Sequence, residues 1–212
     1  LIGRRIGEMG GFDYMAYIVP GLIMMSVIIN SYTNVSSSFF GSKFGRFIEE
    51  MLVSPISNQT ILLGYVTGGV ARAMSVGIIV TILSLFFTDL VIHNMFAVVS
   101  ITVLTAVLFS LLGFINGVYA KRFDDVSIVP TFVLTPLTYL GGVFFSIDLL
   151  PDFWAGVAQL NPILYVVNAF RFGILGVSDI SLGWAYGILI SMTIVAYVIA
   201  VRLLANGAGV RS

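Results

Sequence analysis

Four long intervals of this chain, residues 14–42, 90–120, 126–147 and 180–201, contain no Asp, Glu, Lys or Arg. A helix needs roughly 20 apolar residues to cross about 30 Å of hydrocarbon, and every one of these intervals is long enough. Charged residues make up 9% of the chain and hydrophobic ones 58%, whereas a water-soluble domain carries about 25% charge to wet its surface. The surface of this chain must therefore face lipid. Hydrocarbon offers the backbone no hydrogen-bond partner, so such segments must satisfy their amides internally, as helices. The expectation is an all-α membrane protein, a polytopic helical bundle forming one transmembrane domain over residues 1–212. Its five spans fall at about 14–40, 61–87, 96–119, 128–145 and 182–204.

Two irregularities stand out. Arg72 interrupts the second span, and a mid-membrane arginine costs about 2.5–3.5 kcal/mol on insertion scales. The surrounding Leu, Ile and Phe, worth about 0.3–0.6 kcal/mol each, offset it. Two shorter apolar pieces, 151–160 and 163–175, precede the last span and are separated by Asn161-Pro162. A residue before proline avoids the helical region, so a helix should end at Asn161. Neither piece is long enough to cross, which predicts a re-entrant or external helical hairpin.

Lys43, Arg46, Lys121, Arg122, Arg202 and Arg211 lie near span ends on one side, against Arg4, Arg5 and Arg171 on the other. The positive-inside rule then puts the 41–60 loop, the 120–125 loop and the C-terminus in the cytoplasm. Five spans leave the N-terminus outside, which leads us to expect a further span ahead of the first.

In SKFGRFIEEMLVSP, residues 42–55, apolar Phe44, Phe47, Ile48, Met51 and Leu52 follow the stripe of an amphipathic helix. Lys43, Arg46, Glu49 and Glu50 fill its other face, and Pro55 stops it. Such a helix either lies in the headgroup layer or presents its charges to a cytoplasmic partner; the paired glutamates favour the partner, because anionic headgroups repel them. On the first span Ser26, Asn30, Thr33, Asn34 and Ser37 share a face, and lipid cannot satisfy them. That face should turn inward, against other helices or a pathway. Gly69, Ala73 and Gly77, and Gly113 and Gly117, have the four-residue spacing of closely packed membrane helices. Pro130, Pro136, Gly141 and Gly142 mark the fourth span as a place to kink.

Several chemistries are excluded. Net charge is zero, with no basic run for nucleic acid. Without cysteine, and with His93 as the single histidine, a metal centre or His-based catalysis is not expected. Lys43 and Lys121 are the only lysines, and neither sits in a Walker A loop, so the chain itself binds no nucleotide that way. Asp89, Asp148 and Asp152 fall near external span ends. No carboxylate lies within a span, which weighs against a proton-coupled secondary transporter. A channel, or an enzyme acting on membrane lipid, is a further rival class.

The stretch LTPLTYLGGVFFSIDLLPDFWAGVAQLNPILYVVNAFR, from Leu134 to Arg171, resembles the signature region of type 2 ABC export permeases. FIEEMLVSP, ARAMSVGIIVT and KRFDDVSIVPTFVLTPLTYLGG extend the resemblance along the chain. It implies a permease without a cofactor or enzymatic activity of its own, in a bacterial inner membrane. It also implies a homodimer driven by two copies of a separate ABC ATPase. Such subunits have six spans and an interfacial N-terminal helix, so the first span and that helix would be missing here. The resemblance places the coupling helix at Phe44 to Ser54, with Phe44, Arg46, Phe47, Glu49, Glu50, Met51 and Leu52 as contact residues. It places an external hairpin at Leu149 through Arg171, with Pro151, Asn161, Pro162 and Arg171 matching its pattern. Candidate pathway residues are Asn30, Asn34, Thr135 and Thr138.

Overall fold

The structure, a computed structural model, describes residues 8–9 and 11–207. Arg4, Arg5 and Arg211 lie outside the described residues, as do the side chains of Leu52, Asp148 and Asp152. A two-residue antiparallel hairpin, β1 (Glu8–Met9) and β2 (Phe12–Asp13), leads into the helices. Among the described residues, five helices are long and apolar enough to cross a membrane: α1 (Tyr14–Phe44), α3 (Asn58–Ser84), α4 (Met95–Tyr119), α5 (Phe123–Val143) and α8 (Leu182–Ala205). Between them lie the short α2 (Phe47–Val53), α6 (Asp152–Gln159) and α7 (Pro162–Leu175).

The helix starts follow from local chemistry. A helix leaves its first amides without partners, and a short polar side chain just before it supplies an acceptor. Asp13 accepts from the Met15 amide at 3.1 Å, Ser57 from Thr60 at 3.2 Å, and Asn94 from Ala97 at 3.1 Å. Asn161 does the same for α7, accepting from Ile163 N at 3.0 Å, with Pro162 in the first turn where its missing N–H costs nothing. The predicted break at Asn161-Pro162 is thus the start of a helix.

α1 and α4 form the axis of the bundle, packing on each other and each burying many side chains. Phe39 and Phe114 meet there with ring centroids 4.3 Å apart, and Asn116 donates to Ser36 Oγ at 3.0 Å. The helices approach so closely that a Cβ on Gly113 would overlap the Tyr32 carbonyl. α3 and α8 lie outside this pair, each burying one narrow stripe, which on α3 includes Gly69, Ala73 and Gly77. Arg72 is on the exposed side of α3.

α5 is irregular where its composition is. Wide π-type turns occupy Pro130–Leu134 and Tyr139–Val143, around the regular turn Thr135–Thr138. Gly142, at φ 73°, takes the left-handed conformation that ends the span. α7 is the larger surprise. Ile163, Leu164, Val166, Val167, Ala169, Phe170 and Ile174 are all buried, and the helix packs on α1, α4 and α8. α6, by contrast, leaves Phe153 and Trp154 exposed. The two pieces before the last span are therefore unlike: one lies on the surface and the other belongs to the core.

Gly113 and Gly68 give opposite tests of this packing. Gly113→Val should lower the thermal unfolding midpoint of the detergent-solubilised protein, the overpacking costing about 1–3 kcal/mol. A Cβ on Gly68 meets nothing, and Gly68→Ala should leave the midpoint unchanged or raise it slightly.

Candidate functional site

Three groups of residues stand out by chemistry, one at each end of the bundle and one along its side. At one end, α1 closes with Lys43 and Phe44, and the chain turns at Gly45-Arg46 into α2. Arg46 has φ 60°, unusual for a residue with a Cβ. This turn interrupts the single helix expected over residues 44–54: Phe44 belongs to α1, and the helix that follows is only Phe47–Val53. The expected apolar stripe divides accordingly. Ile48 is fully buried and Met51 packs on the core, whereas Phe44 and Phe47 are exposed, 68% and 59%. Glu49 and Glu50 face outward. α2 is thus pinned by its inner side and presents two carboxylates on its outer side.

The same end holds the corner between α4 and α5. Lys43 donates from Nζ to the carbonyls of Val118 at 2.8 Å and Ala120 at 2.9 Å, neutralising acceptors that the end of α4 leaves open. Asp125 accepts from the amides of Lys121 at 2.8 Å and Arg122 at 2.9 Å and so fixes the start of α5. Because successive spans run antiparallel, Arg202 near the end of α8 lies at this end too. Here the structure gathers Lys43, Arg46, Lys121, Arg122 and Arg202.

At the other end sits a residue whose surroundings the sequence did not reveal. Arg171, counted above among loop charges, is buried, 1% exposed. Its Nη2 donates to the Gly142 carbonyl at 2.6 Å, and weaker contacts reach Tyr17 O at 3.4 Å and Asn168 Oδ1 at 3.5 Å. Its guanidinium stacks 4.0 Å from the Tyr17 ring centroid, an attraction worth about 2 kcal/mol or more once desolvated. Asn168 Oδ1 also accepts from the Asp179 amide at 3.1 Å, and Asp179 Oδ2 accepts from Ser146 Oγ at 3.0 Å and Ile147 N at 3.2 Å. This network joins the start of α1, the Gly142 end of α5, α7 and the loop before α8. Nearby, His93 and Asn94 donate backbone amides to Ile174 and Gly173 at 3.1 and 2.8 Å, so the α3–α4 loop closes on the same helix.

The polar face of α1 turns toward α5 and away from the packed core of the chain. Val27, Ile28, Tyr32, Val35 and Phe39 enter the core, while Asn30, Thr33 and Asn34 are half-buried and Ser37 is exposed. The apolar side of α1 is the better filler for a packed interior, so it won the inward position. The stripe moderates its own polarity by bonding its helix carbonyls: Asn30 to Ser26 O at 3.0 Å, and Thr33 to Ile29 O and Ser37 to Thr33 O at 2.6 Å each. With α5 it forms an open cavity of about 420 Å³, lined by Ile29, Thr33, Ser37, Ser127, Thr131 and Thr135 among others. Of the four candidate pathway residues, Thr135 lines this cavity, while Asn30 and Asn34 are half-buried and follow its lining residues Ile29 and Thr33 along α1. Thr138 is wholly buried within the chain, off that face. Among the described residues no group of three His, Cys, Asp or Glu is placed to hold a metal ion.

These features define a multi-pass α-helical membrane protein with a polar open face and a charged short helix at one end. Residues 2–175 match the family described as ABC-2 type transporter, and the chain belongs to that family. It is 58% identical over 212 residues to the inner membrane transport permease YadH of Escherichia coli (strain K12), an alignment covering 100% of this chain and 83% of that protein. The YadH permease of Shigella flexneri matches to the same extent. Nodulation protein J of Rhizobium meliloti (strain 1021) is 23% identical over 206 residues, covering 96% of this chain and 78% of its own length.

The Arg171 network makes a sharp prediction. Arg171→Gln should destabilise the solubilised protein by about 1.5–3 kcal/mol, the scale of a buried hydrogen bond made by a charged group. Arg171→Lys should recover only part of this, since an ammonium lacks the planar fork that both stacks on Tyr17 and reaches the Gly142 carbonyl. Thermal unfolding in detergent measures both; equal stability of Arg171→Lys and the native protein would show that the fork is dispensable.

Proposed function

We propose that this chain is the membrane-spanning permease of an ATP-driven exporter of the bacterial inner membrane, working as a homodimer with two copies of a separate ABC ATPase. The observation that carries the reading is the outward polar face formed by α1 and α5. Asn30, Thr33, Asn34, Ser37, Thr131 and Thr135 lie along membrane-spanning helices, where lipid offers them no partners. A second subunit and a water-filled path between the two would cover that face, and would make Asn30, Asn34 and Thr135 part of the path lining.

Energy would enter at α2. Its inner side is fixed to the bundle through Ile48 and Met51, so a push on Glu49 and Glu50 is delivered to α1 rather than absorbed by a loose loop. α1 carries one wall of the path, and displacement of α1 against α5 would exchange inward and outward openings. ATP drives such alternating access to the extent that the nucleotide-bound ATPases fit one permease state better than the other. The Pro- and Gly-rich turns of α5 supply a helix that bends, and the hairpin containing Pro151, Asn161 and Pro162, closed by Arg171, caps the external end. The concentration of Lys43, Arg46, Lys121, Arg122 and Arg202 at the α2 end supports a cytoplasmic location for that end and for the C-terminus.

Residues 1–212 contain no cysteine, so the orientation can be tested with a single cysteine placed there in a full-length protein free of other cysteines, and the coupling by charge reversal. Lys121→Cys should react with a membrane-impermeant maleimide in inside-out vesicles and not in intact spheroplasts; the reverse pattern would refute the orientation. Glu49→Lys with Glu50→Lys should abolish co-purification with the ATPase subunit and lower transporter-stimulated ATP hydrolysis at least tenfold, while leaving the thermal midpoint of the permease unchanged. Undiminished stimulation would remove α2 from the coupling.

A further inference from the structure

Beside α2 lies a cavity that shares Phe44, Arg46 and Glu49 with the expected coupling contacts. It measures about 600 Å³ and is bounded by the end of α1, the Gly45-Arg46 turn, the first turn of α2 and the α4–α5 corner. Its charged lining consists of Lys43, Arg46 and Lys121 against the single carboxylate of Glu49. The positive excess is not cancelled from the neighbouring elements. Lys43 is occupied by the neutral carbonyls of Val118 and Ala120, and Asp125, which accepts from the backbone amides of Lys121 and Arg122 and interacts with the charges of both, is offset by Arg122. The surrounding wall is apolar and aromatic. Phe40, Phe44 and Phe123 form a cluster with ring centroids 5.0 to 6.1 Å apart. Phe44 and Phe123 nonetheless remain largely exposed, as does Tyr119, at the ends of membrane-spanning helices.

Three cations beside exposed aromatic rings at the end of a transmembrane bundle match one kind of molecule, with a negative head and a hydrocarbon tail. We propose that this cavity binds the phosphate of an anionic phospholipid from the leaflet at which α2 lies, its acyl chains running over Phe44, Phe123 and Tyr119. Basic pockets at the ends of membrane helices hold such headgroups through the same combination of charge and contact. A zwitterionic lipid offers the same phosphate and chains but brings its own cation, which Arg46 and Lys121 repel; the site therefore discriminates by net headgroup charge. A bound lipid would wedge the inner side of α2 against the bundle. The assignment depends neither on which leaflet this is nor on an ATPase partner, so its failure would leave the preceding reading standing.

The test uses the full-length protein, delipidated in detergent and titrated with phosphatidylglycerol or phosphatidylcholine of identical chains, with bound lipid counted by native mass spectrometry. Phosphatidylglycerol should be retained in preference, and the preference should fall as salt rises. Arg46→Gln and Lys121→Gln should each reduce it roughly fivefold, while Arg46→Lys with Lys121→Arg should keep it. Lys43 is left intact because it caps α4. If the Arg46→Gln variant does not fold, the Lys121→Gln variant and the salt series on the native protein decide the matter alone. Equal retention of the two lipids, or a preference indifferent to both Gln substitutions, would overturn the assignment. So would displacement of phosphatidylglycerol by millimolar inorganic phosphate, which would mark a site for the free anion rather than for lipid.

Discussion

Lipid does not hydrogen-bond, and almost every feature of this chain answers to that. Backbone amides are satisfied within helices, and the ends of helices are closed by side chains. Asp13, Ser57, Asn94 and Asn161 serve the amino ends, and Lys43 serves the carboxyl end of α4. Serines and threonines inside the spans turn back onto carbonyls of their own helices, as Ser31 does onto Val27 O at 2.8 Å. Thr105 and Ser110 of α4 are buried without a hydrogen-bond partner and Arg72 of α3 is exposed, but the most extended run of polar side chains on a spanning helix is the outward face of α1 beside α5. That face marks where the surroundings of the chain must be something other than hydrocarbon.

The same constraint explains the arrangement around Arg171. A guanidinium removed from water survives only if its donors find acceptors and its charge finds a partner. Gly142 supplies an exposed carbonyl because its left-handed conformation breaks the α5 ladder there. Tyr17 supplies a ring face, and Asn168 and Asp179 extend the network to the loop before α8. The break in α5 and the buried charge in α7 are thus complementary: each supplies what the other would otherwise lack. Four parts of the fold distant in sequence are fixed to one another as a result, which makes this end of the bundle the stiff one.

The opposite end is built differently. It collects positive charge and exposed aromatic rings, and its short helix is held by two apolar side chains rather than by a network. Residues that belong to the core and residues turned toward the surroundings alternate within a single turn, as Ile48 and Glu49 show. That division lets one small element be anchored within the membrane domain while offering a separate surface to whatever lies beyond it. The kinked α5 runs between these two ends and shares a wall with the polar face of α1.

The one-dimensional pattern determined a great deal. Charge-free intervals marked four of the five long apolar helices, and the apolar run on either side of Arg72 marked the other, because the cost of placing charge in hydrocarbon is large and local. The Gly141-Gly142 break and the boundary at Asn161-Pro162 were legible for the same reason, since backbone constraints act on their immediate neighbours. Three things were decided only by the tertiary structure. α1 buried its apolar side and left its polar stripe outward, a choice between faces that depends on which neighbours fill space better. Phe44 and Phe47, alike in periodicity to Ile48, stayed exposed because Arg46 turned the chain between α1 and α2. Arg171 looked like a loop charge and proved to be a core residue, because its partners at Tyr17 and Gly142 lie far away along the chain. Hydrophobicity and backbone preference are properties of short segments and can be read in order; which polar groups find one another is a property of packing, and no local stretch contains it.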